Sequence, residues 1–91
     1  MVTSECAPTR HGWDCDVEIV EPGTRSRHNV RVSRQDLERW GRAGEEGPEA
    51  LLQRTFDFLL ARERASQILK SFELADVARY FPEFDAEIRR A

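Results

Sequence analysis

Strict alternation of apolar and polar positions begins at residue 13. In WDCDVEI, Trp13, Cys15, Val17 and Ile19 fall on one face, and Asp14, Asp16 and Glu18 on the other. A period of two is that of a half-buried strand. EPGT follows as a turn. SRHNVRVS then alternates again, with His28, Val30 and Val32 against Arg27, Asn29, Arg31 and Ser33. Together the two runs predict an antiparallel hairpin. If paired residue numbers sum to 45, Glu18 faces Arg27 and Asp14 faces Arg31 on the wet side. A sum of 47 keeps the same faces. Its longer loop suits Pro22 better, because proline cannot enter a primed two-residue turn. Even sums set arginines against the apolar face, so only a bulge would admit them. Before residue 13 there is no periodicity, and with Pro8 and Gly12 the segment 1–12 reads as a flexible tail. Residues 13–91 then form a single domain.

After the hairpin the period becomes helical. Ser33 can cap a helix with Asp36 three residues on, a variant of the capping box. RQDLERW is short, with Leu37 and Trp40 facing inward, and Gly41 stops it. RAGEEG, residues 42–47, is a loop, and Pro48 stands where prolines begin helices. A long helix from about Pro48 to Arg64 is the strongest pattern in the chain. Leu51, Leu52, Thr55, Phe56, Phe58, Leu59 and Leu60 cover an arc of roughly 200°, wider than the stripe of an ordinary surface helix. Such a helix needs cover on a second flank. Ile68, Leu69 and Phe72 fit a short helical turn. Leu74, Val77, Ala78 and Phe81 follow helical spacing, and Pro82 separates them from Phe84 and Ile88 on a further helix. The expected class is α+β, an N-terminal antiparallel β-hairpin packed on a long central helix with several short helices. In RYFPEF, residues 79–84, Phe81 and Phe84 are expected in the core and Tyr80 at its rim.

The stretch FDFLLARERASQILKSFELADVARYFPEF, residues 56–84, resembles a family of small uncharacterised bacterial proteins. Their C-terminal halves read FLL-x-RE, then IL-x-x-F-x-L, then YFPE followed by Tyr or Phe. A hairpin-like segment and a helix start like Pro48-Glu49-Ala50-Leu51 precede it. The resemblance covers most of the chain beyond residue 13 and implies a fold and an origin but no activity. Family members often read RE-P where this chain has Glu63-Arg64-Ala65, so the helix is expected to run further here. A local stretch resembles something else. RHNVRVSRQDL with the helix after it, residues 27–64, looks like a ribbon-helix-helix DNA-binding unit. That likeness implies a dimer in which Arg27, Asn29 and Arg31 read base edges. The acidic strand at 13–20 weighs against it, since it offers an intramolecular partner and would repel phosphate.

Composition and charge narrow the function classes. The chain has 91 residues, 40% hydrophobic, with a net charge of −3. That supports a modest core and disfavours nucleic acid or anionic lipid as a partner. No apolar stretch approaches the length of a membrane span. The start lacks a basic segment followed by an apolar run, so no signal peptide is read. Two cysteines are too few for a disulfide framework. Reduced thiols and a cytoplasmic location are therefore expected. A single lysine, Lys70, among fourteen basic residues points to a GC-rich bacterial genome.

Candidate chemistry is sparse. Cys6, His11 and Cys15 are three scattered ligand types, whereas a structural zinc site takes four, so no metal or other cofactor is expected. His28 could lie near Cys15, but a thiol buried against Trp13 and Val30 is a poor nucleophile. No serine triad, glycine-rich phosphate loop or acid/base carboxylate pair is present, and no small-molecule substrate is evident. The expectation is a non-enzymatic interaction module or small subunit, with a protein partner or a second copy as its ligand. Trp40 and Tyr80, both amphipathic aromatics, are the candidate partner-binding residues. A dimeric DNA-binding regulator using Arg27, Asn29 and Arg31 is the alternative.

Overall fold

The computed structural model describes residues 1–42 and 47–90. Of the loop expected at 42–47, residues 43–46 lie outside the described residues. The fold is mixed α+β, with a four-stranded sheet and four helices. Strands β1 (Val2–Pro8), β2 (Gly12–Glu21), β3 (Thr24–Ser33) and β4 (Ser71–Glu73) lie in the order β1-β2-β3-β4.

The two alternating runs form β2 and β3, paired antiparallel with partner numbers that sum to 45: Trp13 with Val32, Cys15 with Val30, Glu18 with Arg27. The turn explains why the longer loop lost. Pro22 and Gly23 alone connect the strands, and Gly23 has φ 79°. Positive φ at the second central position is the mark of a type II turn, which accepts proline at the first. Pro22 excludes only the primed turns, so it does not force a longer loop.

The segment read as a flexible tail is instead strand β1, antiparallel to β2 from Val2↔Ile19 to Pro8↔Trp13. Val2, Ser4 and Cys6 turn inward while Thr3, Glu5 and Ala7 turn out. Small and polar residues on both faces left no hydropathy signal. At the turn, the Thr9 amide donates to the Gly12 carbonyl (2.8 Å) and the Gly12 amide to Thr9 Oγ1 (3.1 Å). A Cβ on Gly12 would stand 2.0 Å from the Val32 carbonyl oxygen, so the position has room for glycine alone. Cys6 and Cys15 sit opposite each other and are joined by a disulfide. The expectation of reduced thiols is thereby corrected. Two cysteines are too few for a framework of bridges, but one direct cross-strand pair suffices for a single staple.

Helix α1 (Arg34–Trp40) begins as expected: Ser33 Oγ accepts from the Asp36 amide (3.0 Å) and Asp36 Oδ2 from the Ser33 amide (2.9 Å). Helix α2 (Pro48–Leu60) starts on Pro48 and is shorter than the span to Arg64. It does not run on past Glu63. The Arg62 amide donates to Leu59, a tighter turn than the helix makes, and the Arg62 guanidinium donates to the Phe58 carbonyl (3.1 Å). A charged side chain thus caps the helix that the apolar arc alone would have extended.

Residues 68–72 are not helical. A 3-10 turn (Ala65–Gln67) leads into β4, parallel to β3 with Phe72 beside Val30. The unpaired edge of β3 captures this segment, with the Asn29 amide donating to the Lys70 carbonyl (2.7 Å). Helices α3 (Leu74–Tyr80) and α4 (Phe84–Arg90) follow the apolar spacing. A single core joins Cys15, Val17, Ile19, Val30 and Val32 of the sheet to Leu51, Leu52, Phe56 and Phe58 of α2 and to Leu74, Phe84 and Ile88. Arg54 on α2 donates to the carbonyls of Ile88 (2.7 Å) and Trp40 (3.3 Å), placing a cation at the C-terminal ends of α4 and α1.

Candidate docking groove

The pleat of β3 sends Arg27, Asn29 and Arg31 to the open face of the sheet, but both edges of the strand are paired. A ribbon-helix-helix unit needs such a strand free to pair with its twin. The polar side chains also have partners within the chain. Arg27 Nε lies 3.4 Å from Glu18. Arg31 donates to Asn29 Oδ1 and Ser71 Oγ, each at 2.8 Å, and Asn29 donates to Asp14. Asp14 faces Arg31 in the register, yet Asn29 is the residue that bridges them. The face is a neutralised mosaic of β2 carboxylates and β3 arginines, not a cationic ribbon.

Trp40 belongs to the core. It is 2% exposed, with its ring edge-on to Phe84 at 5.3 Å. Its indole N–H donates to Asp85 Oδ1 (2.9 Å), which also meets Arg39 Nε (3.1 Å) and Arg89 (3.2 Å). The indole hydrogen bond, then the Arg89 and Arg39 charges, hold the Asp85 carboxyl below its ordinary range. A second clasp lies at the other side of α4. Arg62 stacks over the Phe58 ring, 3.6 Å from its centre, and pairs with Glu87 (2.8 Å) and Glu83 (3.2 Å). The Glu83 carboxyl is lowered by its own backbone amide and then by Arg62. These contacts fasten α4 and leave little of Trp40 for a partner.

Tyr80 has the opposite fate, at 68% exposed. In RYFPEF, Phe84 is fully buried and Phe81 is half-buried against Phe58 (5.8 Å, edge-on). Three large hydrophobic residues are exposed among the described residues: Met1, Leu69 and Tyr80. Leu69 and Tyr80 line the same groove, of about 350 Å³. Its buried lining is Leu59, Ile68, Phe72 and Val77. The groove exists because β4 and α3 are consecutive. β4 brings Phe72 in, α3 brings Val77 and Tyr80 round, and the 3-10 turn and the residue after it supply Gln67 and Ile68. Glu63 and Asp76 are its titratable residues other than Tyr80. Asp76 already serves Arg79 (3.1 Å) and the Glu73 amide (3.2 Å). Glu63 is half-buried as a residue, and its carboxylate has no hydrogen-bond or ion-pair partner among the described residues.

The spacing of Ile68, Leu69 and Phe72 fits a short helical turn, which gives no sign that Leu69 is exposed. The extended segment entering β4 leaves Leu69 outside, with Ile68 and Phe72 in the core. His28 is buried, with Nδ1 at 2.8 Å from the Leu69 carbonyl and Nε2 at 3.0 Å from Ser26 Oγ, so this imidazole is a strut between β3 and the segment that leads into β4. Cys6 and Cys15 are committed to each other and cannot join His11 as metal ligands. No group of three His, Cys, Asp or Glu is placed to hold a metal among the described residues. No helix among them is long and apolar enough to cross a membrane. In comparisons with protein-family models, curated proteins and solved structures, none matches the chain.

Proposed function

We propose that the chain is a non-enzymatic protein-interaction module that docks an apolar segment of a partner protein in the groove beside Tyr80. One observation carries this reading. Of the three large hydrophobics exposed among the described residues, two converge on one concave apolar surface, while a core of similar residues is closed elsewhere. Grooves of this kind hold apolar anchors of a partner, and exposed aromatics commonly dominate such contacts. The partner-binding role expected for Trp40 passes to Leu69, with Tyr80 retained. A homodimer using the groove is a special case of the same reading. The Cys6–Cys15 bond favours an oxidising compartment over the cytoplasm expected from the sequence.

The test is selection from a displayed random peptide library on the folded protein. A pool should emerge on the wild type and vanish on Leu69→Asp and Tyr80→Asp. A pool that persists on both variants would end the groove reading.

A further inference from the structure

Resting on that docking reading, the partner segment can be given a chemistry. The groove's walls are apolar, and the charged side chains lining it are Glu63 and Asp76, both acidic, with no lysine, arginine or histidine among the lining residues. Arg79 offsets Asp76, whereas Glu63, a half-buried residue that shares the lining with Leu59, has nothing to neutralise it among the described residues. A carboxylate beside apolar surface loses hydration when that surface is covered, so a covering segment must bring a cation or take a penalty. A volume of about 350 Å³ admits roughly two large side chains and no folded element entire.

We propose that the occupant is a short peptide segment of a partner protein, carrying two large apolar side chains and an arginine or lysine. The apolar pair fills the space between Leu69, Phe72 and Tyr80. The cation meets Glu63 at the margin, and a planar guanidinium suits it best because it can pair with the carboxylate through two hydrogen bonds. An acidic segment is excluded by the same residue that admits a basic one.

The experiment uses three fluorescein-labelled twelve-residue peptides drawn from the selected pool, with identical apolar residues and arginine, glutamine or glutamate at the charged position. Fluorescence polarisation is read on the full chain at low and at raised salt. The arginine peptide should bind at least about tenfold tighter than the glutamate peptide, a difference that narrows with salt. Glu63→Lys should reverse the order and Glu63→Gln should flatten it, with circular dichroism unchanged. If the three peptides bind alike, or if Glu63→Lys leaves their order unchanged, the basic-partner inference fails. Loss of binding on Leu69→Asp would still uphold the groove. If no peptide binds, or binding ignores Leu69→Asp, the docking reading fails as well.

Discussion

Phe84 and Tyr80 stand four residues apart in RYFPEF and take opposite roles. Phe84 touches Trp40 and Phe58 rings at 5.3 and 5.1 Å and has no exposure. Phe84→Ala should cost about 3–5 kcal/mol by urea denaturation, the range for a large core ring. Tyr80→Ala should change stability by no more than about 0.5 kcal/mol, as for an exposed side chain, while removing peptide binding. A large loss of stability for Tyr80→Ala would make it a core residue after all. At the hairpin turn, Gly23 has open space around its Cα but φ 79°, so the penalty for Gly23→Ala is conformational and not steric. About 1 kcal/mol is expected from the left-handed backbone, and an unchanged midpoint would contradict the turn geometry.

At the scale of elements, the fastenings of β1 and α4 differ. β1 brings little apolar burial, since Val2 and Cys6 are only half-buried, and a disulfide joins it to β2. Closing so short a loop is worth about 2–3 kcal/mol by chain entropy, so reduction should lower stability by that much. Amide exchange should rise first in β1. Exchange rising equally throughout would mean that β1 is not a separate unit. α4 is held by carboxylates whose proton affinity is lower folded than unfolded, Glu83 and Asp85. The unfolded chain then binds more protons, and stability rises with pH through their titration. Their contribution is complete above the ordinary carboxylate range and is lost as pH falls through it. Melting temperature should therefore drop between about pH 5 and pH 3, and the drop should be shallower in Asp85→Asn. A pH profile identical to that of the parent would remove Asp85 from the clasp.

Across the whole molecule, legibility followed side-chain contrast. Strands β2 and β3 alternate strongly between valine-type and charged residues, so their faces were plain and only the choice between two registers stayed open. It was decided by backbone torsion at Gly23, which hydropathy does not encode. β1 alternates between small and polar residues, and its pairing depends on β2 offering an edge, so nothing local announced it. β4 is three residues long and exists because β3 has an unpaired edge far away in sequence. Missing β4 meant missing the groove, since Leu69 and Tyr80 converge only when the strand precedes α3. Tyr80 was legible as an amphipathic aromatic; Trp40 had the same signature, and burial separated the two.

The central claim is that the surface between β4 and α3 receives a partner segment. Amide chemical-shift mapping of the labelled chain, titrated with the arginine peptide, tests it most directly. Shifts confined to Glu63, residues 67–72 and residues 76–81, saturating with the polarisation curve, are the predicted result. Shifts centred on Arg27, Asn29 and Arg31, or spread over the sheet without saturation, would contradict it.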